Sequence, residues 1–134
     1  ETWEQVIKTN LFGVYYTAKA VYPFLKEKGQ GDIVNVASTA GLKGGPNMSA
    51  YAASKAAVVS LSQSMLAEWR KQNIRVITLT PSTIASEMSI NGGLTDGNPD
   101  KVLQPEDFAE WVRDILKMNR RAMIANASIF STSP

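Results

Sequence analysis

The 134-residue chain contains no cysteine and no histidine. The first absence excludes disulfides and thiolate metal centres, and the two together leave zinc without its usual ligands, so no metal-binding residues are expected. The missing histidine also excludes a hydrolase built on a Ser-His-Asp triad. Charge of one sign is lacking too: 14 Lys and Arg stand against 12 Asp and Glu, a net charge of +2, with no dense basic run. That balance supplies no electrostatic footprint for a nucleic acid. No apolar run approaches the ~20 residues needed to cross a bilayer, so no membrane partner is expected and the reading is a cytoplasmic protein. What is present, 44% apolar and 19% charged residues, suits one globular domain with a core, and the length is short for two.

Along the chain, Thr2-Trp3-Glu4-Gln5 has the pattern of a capping box at a helix start. Trp3, Ile7, Leu11, Val14, Ala18, Val21 and Leu25 then recur at helical spacing. Phe12, Tyr15, Tyr16 and Tyr22 widen this stripe so far that the helix should be buried from more than one direction, for instance between a sheet and a partner subunit. Pro23 should bend or end the helix near its last turns, and Gly29-Gln30-Gly31 closes it. Residues 32–38 read as a strand covered on both faces, 39–49 as a loop, and 50–72 as a second long helix. Its expected inner stripe is Ala53, Ala57, Leu61, Met65 and Trp69, flanked by Ala52, Ala56, Val59 and Leu66.

A second strand is expected at 74–80, stopped by Pro81, followed by a polar, mobile loop at 82–99. Gln104-Pro105-Glu106-Asp107 opens a third helix that buries Phe108, Trp111, Val112, Ile115 and Leu116. Either 122–125 or Ile129-Phe130 supplies a last short strand. This alternation is that of an α/β protein with a parallel sheet and helices on its faces. Three strands and three main helices make a small sheet of this kind, and the chain opens on an unusually apolar helix. We therefore expect an incomplete fold, from which preceding strands are missing.

Tyr51 and Lys55 stand four apart near the start of the second helix and share a face. A free phenol, with a pKa of ~10, is a poor acid–base catalyst at neutral pH, and a nearby ammonium makes it a usable one. Ser38 ends the first strand thirteen residues earlier, at the carboxyl edge where open α/β sheets bind ligands. Asn10, in the middle of an apolar helix, is a poor choice on propensity and invites a reason. Pro81-Ser82-Thr83-Ile84 follows the second strand at the same edge.

In sequence order the motifs are Thr-Asn-Leu-x-Gly-Val, Gly-Asp-Ile-Val-Asn-Val-Ala-Ser, Ser-Ala-Tyr-Ala-Ala-Ser-Lys-Ala-Ala and a proline turn after Ile-Arg-Val. Together they resemble the short-chain dehydrogenase/reductase family, most of all its bacterial 3-oxoacyl-[acyl-carrier-protein] reductases. The resemblance runs from residue 1 to about residue 90, and more loosely beyond. It implies the C-terminal part of a doubly wound, Rossmann-type sheet, with residues 1–134 forming one partial domain. Tyr51 is then the general acid/base, and Lys55 the holder of the nicotinamide ribose that lowers the phenol's pKa. Ser38 would orient the carbonyl, and Asn10 would hold a water that relays protons to Lys55. By the same resemblance Tyr51, Lys55, Pro81, Ile84 and Ser86 face the nicotinamide of NADP or NAD.

Two departures qualify that picture. The family's turn reads Pro-Gly where this chain has Pro81-Ser82, and its Gly-rich phosphate loop and Asn-Asn-Ala-Gly stretch have no counterpart here. The chain as given is therefore expected to hold no cofactor and to be inactive. The longer parent is expected to interconvert a ketone and a secondary alcohol, with a 3-oxoacyl thioester as the leading substrate. A polyol, steroid or other small carbonyl compound is the alternative. A non-catalytic oligomerisation module is the rival reading. A homo-oligomer, dimer or tetramer, through the first two long helices is expected in either case.

Overall fold

In the computed structural model, which describes residues 2–132, three parallel strands form one sheet in the order β1 (Gly31–Val36), β2 (Ile74–Pro81), β3 (Asn126–Ile129). Gly31 lies opposite Ile74 and Val36 opposite Leu79, while Thr78 to Pro81 pair with Asn126 to Ile129. Every residue of β2 is buried, as its run of β-branched and apolar side chains demands of a central strand. Pro81 extends the strand one residue beyond its expected end. The β3 ladder draws its donors from Thr78 and Ser82. The nitrogen of Pro81 thus belongs to the side facing β1, where the pairing has already run out.

Thr2 caps the first helix as expected: its Oγ1 accepts from the Gln5 N–H at 3.2 Å, and Gln5 Oε1 accepts from the Thr2 N–H at 2.9 Å. Helix α1 (Trp3–Ile7) passes through a π-helical turn (Lys8–Phe12) into α2 (Gly13–Lys28). Pro23 does not end it. The residue is exposed, so the carbonyl deprived of its partner faces water, and the helix continues to Gly29, whose φ of 78° closes it. Helix α3 (Ser49–Trp69) ends in a 3-10 turn (Arg70–Gln72). The segment at 82–99 is not all loop: Ser86 caps a short helix, α4 (Glu87–Asn91). Helix α5 (Pro105–Lys117) opens as expected with Pro105 in its first turn and Glu106 and Asp107 at its amino end, where Asp107 Oδ2 also accepts from the Gln104 N–H at 2.8 Å.

The strands divide the helices into two layers. Ile33, Ile74 and Val76 pack against Ala18 of α2 and Met65 of α3, with Tyr22 stacked on Trp69 at a centroid distance of 4.5 Å. Ile77 and Leu79 point the other way, to Ile115, Phe108 and Trp111 of α5. Three details differ from expectation. The buried face of α3 is Ala52, Ser54, Val58, Ser62 and Met65, rotated from the alanine stripe, because two serines sit at its centre. Leu116 is exposed rather than part of the inner stripe of α5. The last strand begins after the first candidate segment and reaches only Ile129 of the second, at the register that β2 offers. Among the described residues no helix is long and apolar enough to cross a membrane.

The amino ends of the strands are tied by charge. Arg75, with a side chain 6% exposed, forks onto Asp32 through Nε–Oδ1 at 2.6 Å and Nη2–Oδ2 at 2.9 Å. It also donates to the carbonyls of Leu116, Met118 and Ala122, which fastens the end of α5 to the sheet. Arg120 donates to Asp32 Oδ1 at 3.0 Å and to the carbonyls of Gly31 and Asn73. The hydrogen bond from Arg75 holds the Asp32 carboxyl below its ordinary 3.8; burial opposes this shift, and Arg120 adds to it.

Asp32→Asn leaves two guanidiniums without a counter-charge. It should cost on the order of 2–3 kcal/mol at pH 7, less than a fully buried pair because water still reaches Asp32. Thermal melts should show a fall of roughly 10 °C. Because the folded pKa is depressed, this stabilisation is present above the unfolded value of 3.8 and is lost as pH falls through the folded one. The gap between variant and wild type should therefore close in acid. Equal melting at pH 7 would show that the cluster does not fasten the fold.

Candidate active site

Ladder bonding on β1 continues one residue past the strand, where the Ala37 N–H donates to the Leu79 carbonyl at 2.7 Å. Ser38 follows in extended conformation and caps a 3-10 turn (Thr39–Gly41), its Oγ accepting from the Ala40 N–H at 3.1 Å. The hydroxyl proton is thus left free to donate. Beyond a glycine-rich excursion the chain enters α3, whose first turn is fastened from outside by the Trp3 indole, 3.2 Å from Ser49 Oγ.

Tyr51 and Lys55 lie one turn apart there. Tyr51 is 39% exposed, so its phenol is open to a ligand. Lys55 Nζ lies 5.7 Å from the centroid of the Tyr51 ring and donates to the Val36 carbonyl at 3.1 Å, two residues before Ser38. The ammonium spans from α3 to the carboxyl end of β1. Burial lowers its pKa from the ordinary lysine value of 10.5.

Asn10 falls within the π-helical turn, which supplies the reason its position invited. Its Nδ2 donates to Ser54 Oγ at 3.1 Å, and Ser54 Oγ donates to the Tyr51 carbonyl at 2.7 Å. Asn10 is therefore joined to the turn of α3 that carries Tyr51 and Lys55. Ser54 was not among the expected site residues. A serine three residues after Tyr51 on a face otherwise built from small apolar side chains was the available signal.

Pro81, Ile84 and Ser86 lie at the same carboxyl edge, after β2. Pro81 is buried, and the Ser82 N–H donates to the Ile129 carbonyl at 2.8 Å, so a side chain at position 82 does not break the ladder. Ile84 bridges in parallel to Leu103, and its carbonyl accepts from Ser89 Oγ at 2.7 Å. Ser86 caps α4, its hydroxyl shared between the Ser89 N–H and Ser89 Oγ, both at 3.1 Å. The structure brings Asn10, Tyr51 and Lys55 together around the end of β1 where Ser38 begins its turn. It places Pro81, Ile84 and Ser86 on the neighbouring strand's exit, where among the described residues no hydrogen bond joins them to that group.

The short chain dehydrogenase pattern matches residues 1–97. The chain is 38% identical over 133 residues to the inactive 2-(S)-hydroxypropyl-CoM dehydrogenase 2 of Xanthobacter autotrophicus, covering 99% of this chain and 56% of that protein. It is 43% identical over 128 residues to the NAD(+)-dependent 2-dehydro-3-deoxy-L-rhamnonate dehydrogenase of a Sphingomonas species, covering 96% and 47%. Over 89 residues it is 38% identical to a 3-oxoacyl-[acyl-carrier-protein] reductase of Thermotoga maritima, covering 66% and 36%. The closed form of a serine dehydrogenase complexed with NADP+ superposes with a TM-score of 0.86 at 27% identity, over 95% of this chain and 54% of that one. The chain thus spans about half the length of the first of these relatives and of that structure, with three parallel strands and helices in the arrangement of a Rossmann-type dehydrogenase. It belongs to the short-chain dehydrogenase family.

Proposed function

We propose that the chain is the C-terminal, catalytic portion of an NAD(P)-dependent oxidoreductase that interconverts a ketone and a secondary alcohol. The observation that most supports this is the Lys55 ammonium beside the Tyr51 ring, reaching the strand end from which Ser38 projects. In reduction the Tyr51 phenol gives its proton to the carbonyl oxygen, and in oxidation it takes that proton back. The Ser38 hydroxyl donates to the same oxygen and steadies the charge developing there. Asn10 spends its Nδ2 on Ser54 and keeps its amide oxygen as acceptor for a water that passes protons to Lys55.

The residues present fit the nicotinamide end of a dinucleotide. Lys55 has three donors and spends one on Val36, which leaves two for ribose hydroxyls. Pro81, Ile84 and Ser86 would line the nicotinamide, with Ser89 competing for the Ser86 hydroxyl. When bound, the cofactor supplies or takes up the hydride. None of the nine glycines builds a strand-to-helix phosphate loop, so cradling the pyrophosphate falls to residues outside this chain, which by itself is expected to be inactive. Among the described residues nothing pairs with the outer edge of β1, and that edge, with a groove of about 430 Å³ between it and Val14, Ala18 and Val21 of α2, supports a sheet completed by further strands.

For the substrate, Leu42, Met88, Ile90 and Leu94 are exposed in the segments that follow β1 and β2. Such apolar walls favour the acyl chain of a 3-oxoacyl thioester. The 43% identity to a sugar-acid dehydrogenase favours a second reading, a small hydroxylated acid, and turnover of the two substrate classes separates them.

In the full-length enzyme Tyr51→Phe should lower kcat by about 10²-fold or more, with dinucleotide affinity nearly unchanged, because one proton donor is lost and the ring's packing is kept. Near-normal turnover would assign proton transfer to another group. The protein should also self-associate through its first two long helices. Phe12, Tyr15 and Tyr16 form an exposed aromatic cluster, with Tyr16 61% exposed. Light scattering at micromolar concentration should report a dimer or tetramer, and Tyr16→Lys should weaken it. A monomer in the wild type would refute the interface.

A further inference from the structure

Gly41 closes the 3-10 turn that Ser38 opens: its N–H donates to the Ser38 carbonyl at 2.9 Å. A Cβ at this position would lie 2.7 Å from the Lys55 carbonyl carbon, 2.8 Å from the Ala56 nitrogen and 2.9 Å from the Lys55 carbonyl oxygen. All three atoms are backbone, so no side chain can swing aside to make room. Gly41 does not have a positive φ, so alanine suits its conformation and only the space is lacking. The turn therefore rests directly on the main chain of α3 at the residue that carries the Lys55 ammonium.

We propose that Gly41 is a positioning residue for Ser38, its bare Cα setting the distance between the Ser38 hydroxyl and the Tyr51–Lys55 pair. Non-bonded carbons prefer separations of about 3.5–4.0 Å, so a methyl group here forces the two segments apart by roughly 1 Å. The turn gives way rather than the helix. Val58, Ser62 and Met65 of α3 are buried in the sheet interface, whereas residues 39–41 are half-buried and 42–47 exposed. Lys55 keeps its place and Ser38 retreats. A displacement of that size at a reacting group costs up to about 10²-fold in rate. The inference rests on the proposed roles of Ser38, Tyr51 and Lys55 and adds the residue that spaces them.

Gly41→Ala, Ser38→Ala and the double variant in the full-length enzyme test it, with Tyr51→Phe as control. Gly41→Ala should reduce kcat by about 10- to 100-fold, with the dinucleotide Kd held within about threefold. If Gly41 acts through Ser38, the double variant should turn over within about twofold of Ser38→Ala alone, whereas a general weakening of the fold would multiply the two losses. Thermal melting of Gly41→Ala should stay within a few degrees of wild type. The proposal is overturned by near-normal kcat in Gly41→Ala, by multiplying losses, or by a variant that does not fold, which would make the glycine part of the framework. Normal turnover in both Tyr51→Phe and Ser38→Ala would instead sink the reading of the site itself.

Discussion

Helix α3 packs on the sheet through Met65, Leu61 and Trp69 at one end and buries two hydroxyls, Ser54 and Ser62, along the same face, and the site at its first turns depends on how those hydroxyls are satisfied. Ser54 and Ser62 are 0% and 1% exposed, and leaving either without partners would cost about 1–3 kcal/mol. Each is satisfied in the same way. Ser62 Oγ donates to the Val58 carbonyl at 2.7 Å and accepts from Asn35 Nδ2 at 2.9 Å. Ser54 Oγ donates to Tyr51 and accepts from Asn10. Small side chains let the helix lie close, and the asparagines lock it in place, one from β1 and one from the π-helical turn. The bare Cα of Gly41 makes a third close contact near the same end of the helix.

Much of this was legible in the sequence, because periodicity reports burial well where the buried face is apolar. The long helices, the first two strands, the capping box at Thr2 and the start of α5 at Pro105 follow from spacing and cap chemistry alone. So does the sharing of one helix face by Tyr51 and Lys55. The buried face of α3 was misjudged for a physical reason. A serine whose hydroxyl bonds back to its own helix is nearly as buriable as an alanine, and apolar counting cannot register that. The π-helical turn at Lys8–Phe12 left only one trace, an asparagine where helix propensity disfavours it. Helix α4 is five residues long and carries too little periodicity to stand out from the polar segment around it.

The side of the sheet on which α5 packs is a separate matter. Strand order advances in one direction from β1 to β3, yet α3 covers the face of Ile74 and Val76 while α5 covers that of Ile77 and Leu79. The two crossovers therefore have opposite hands, against the strong preference for right-handed connections. Residues 82–104 give the chain the length to pass over the carboxyl edge before α5 begins. Arg75 then holds the far end of α5 through three carbonyls. No local pattern encodes that choice of face. The face that α5 covers is the one that carries Arg75 together with Ile77 and Leu79.

The two ends of the sheet are built on different electrostatic plans, and the contrast bears on function. At the amino end Asp32 meets Arg75 and Arg120, so buried charge is compensated where it stands. At the carboxyl end Lys55 is half-buried, and among the described residues its ammonium meets a carbonyl and the Tyr51 ring but no carboxylate. Burial disfavours its charged form, a cost that a carboxylate partner would have offset. A module selected only to fold and associate gains nothing from such a cation. A site that must keep donors free for a polar ligand needs the charge close by and unpaired. The arrangement at Lys55 therefore favours the catalytic reading over a purely structural one.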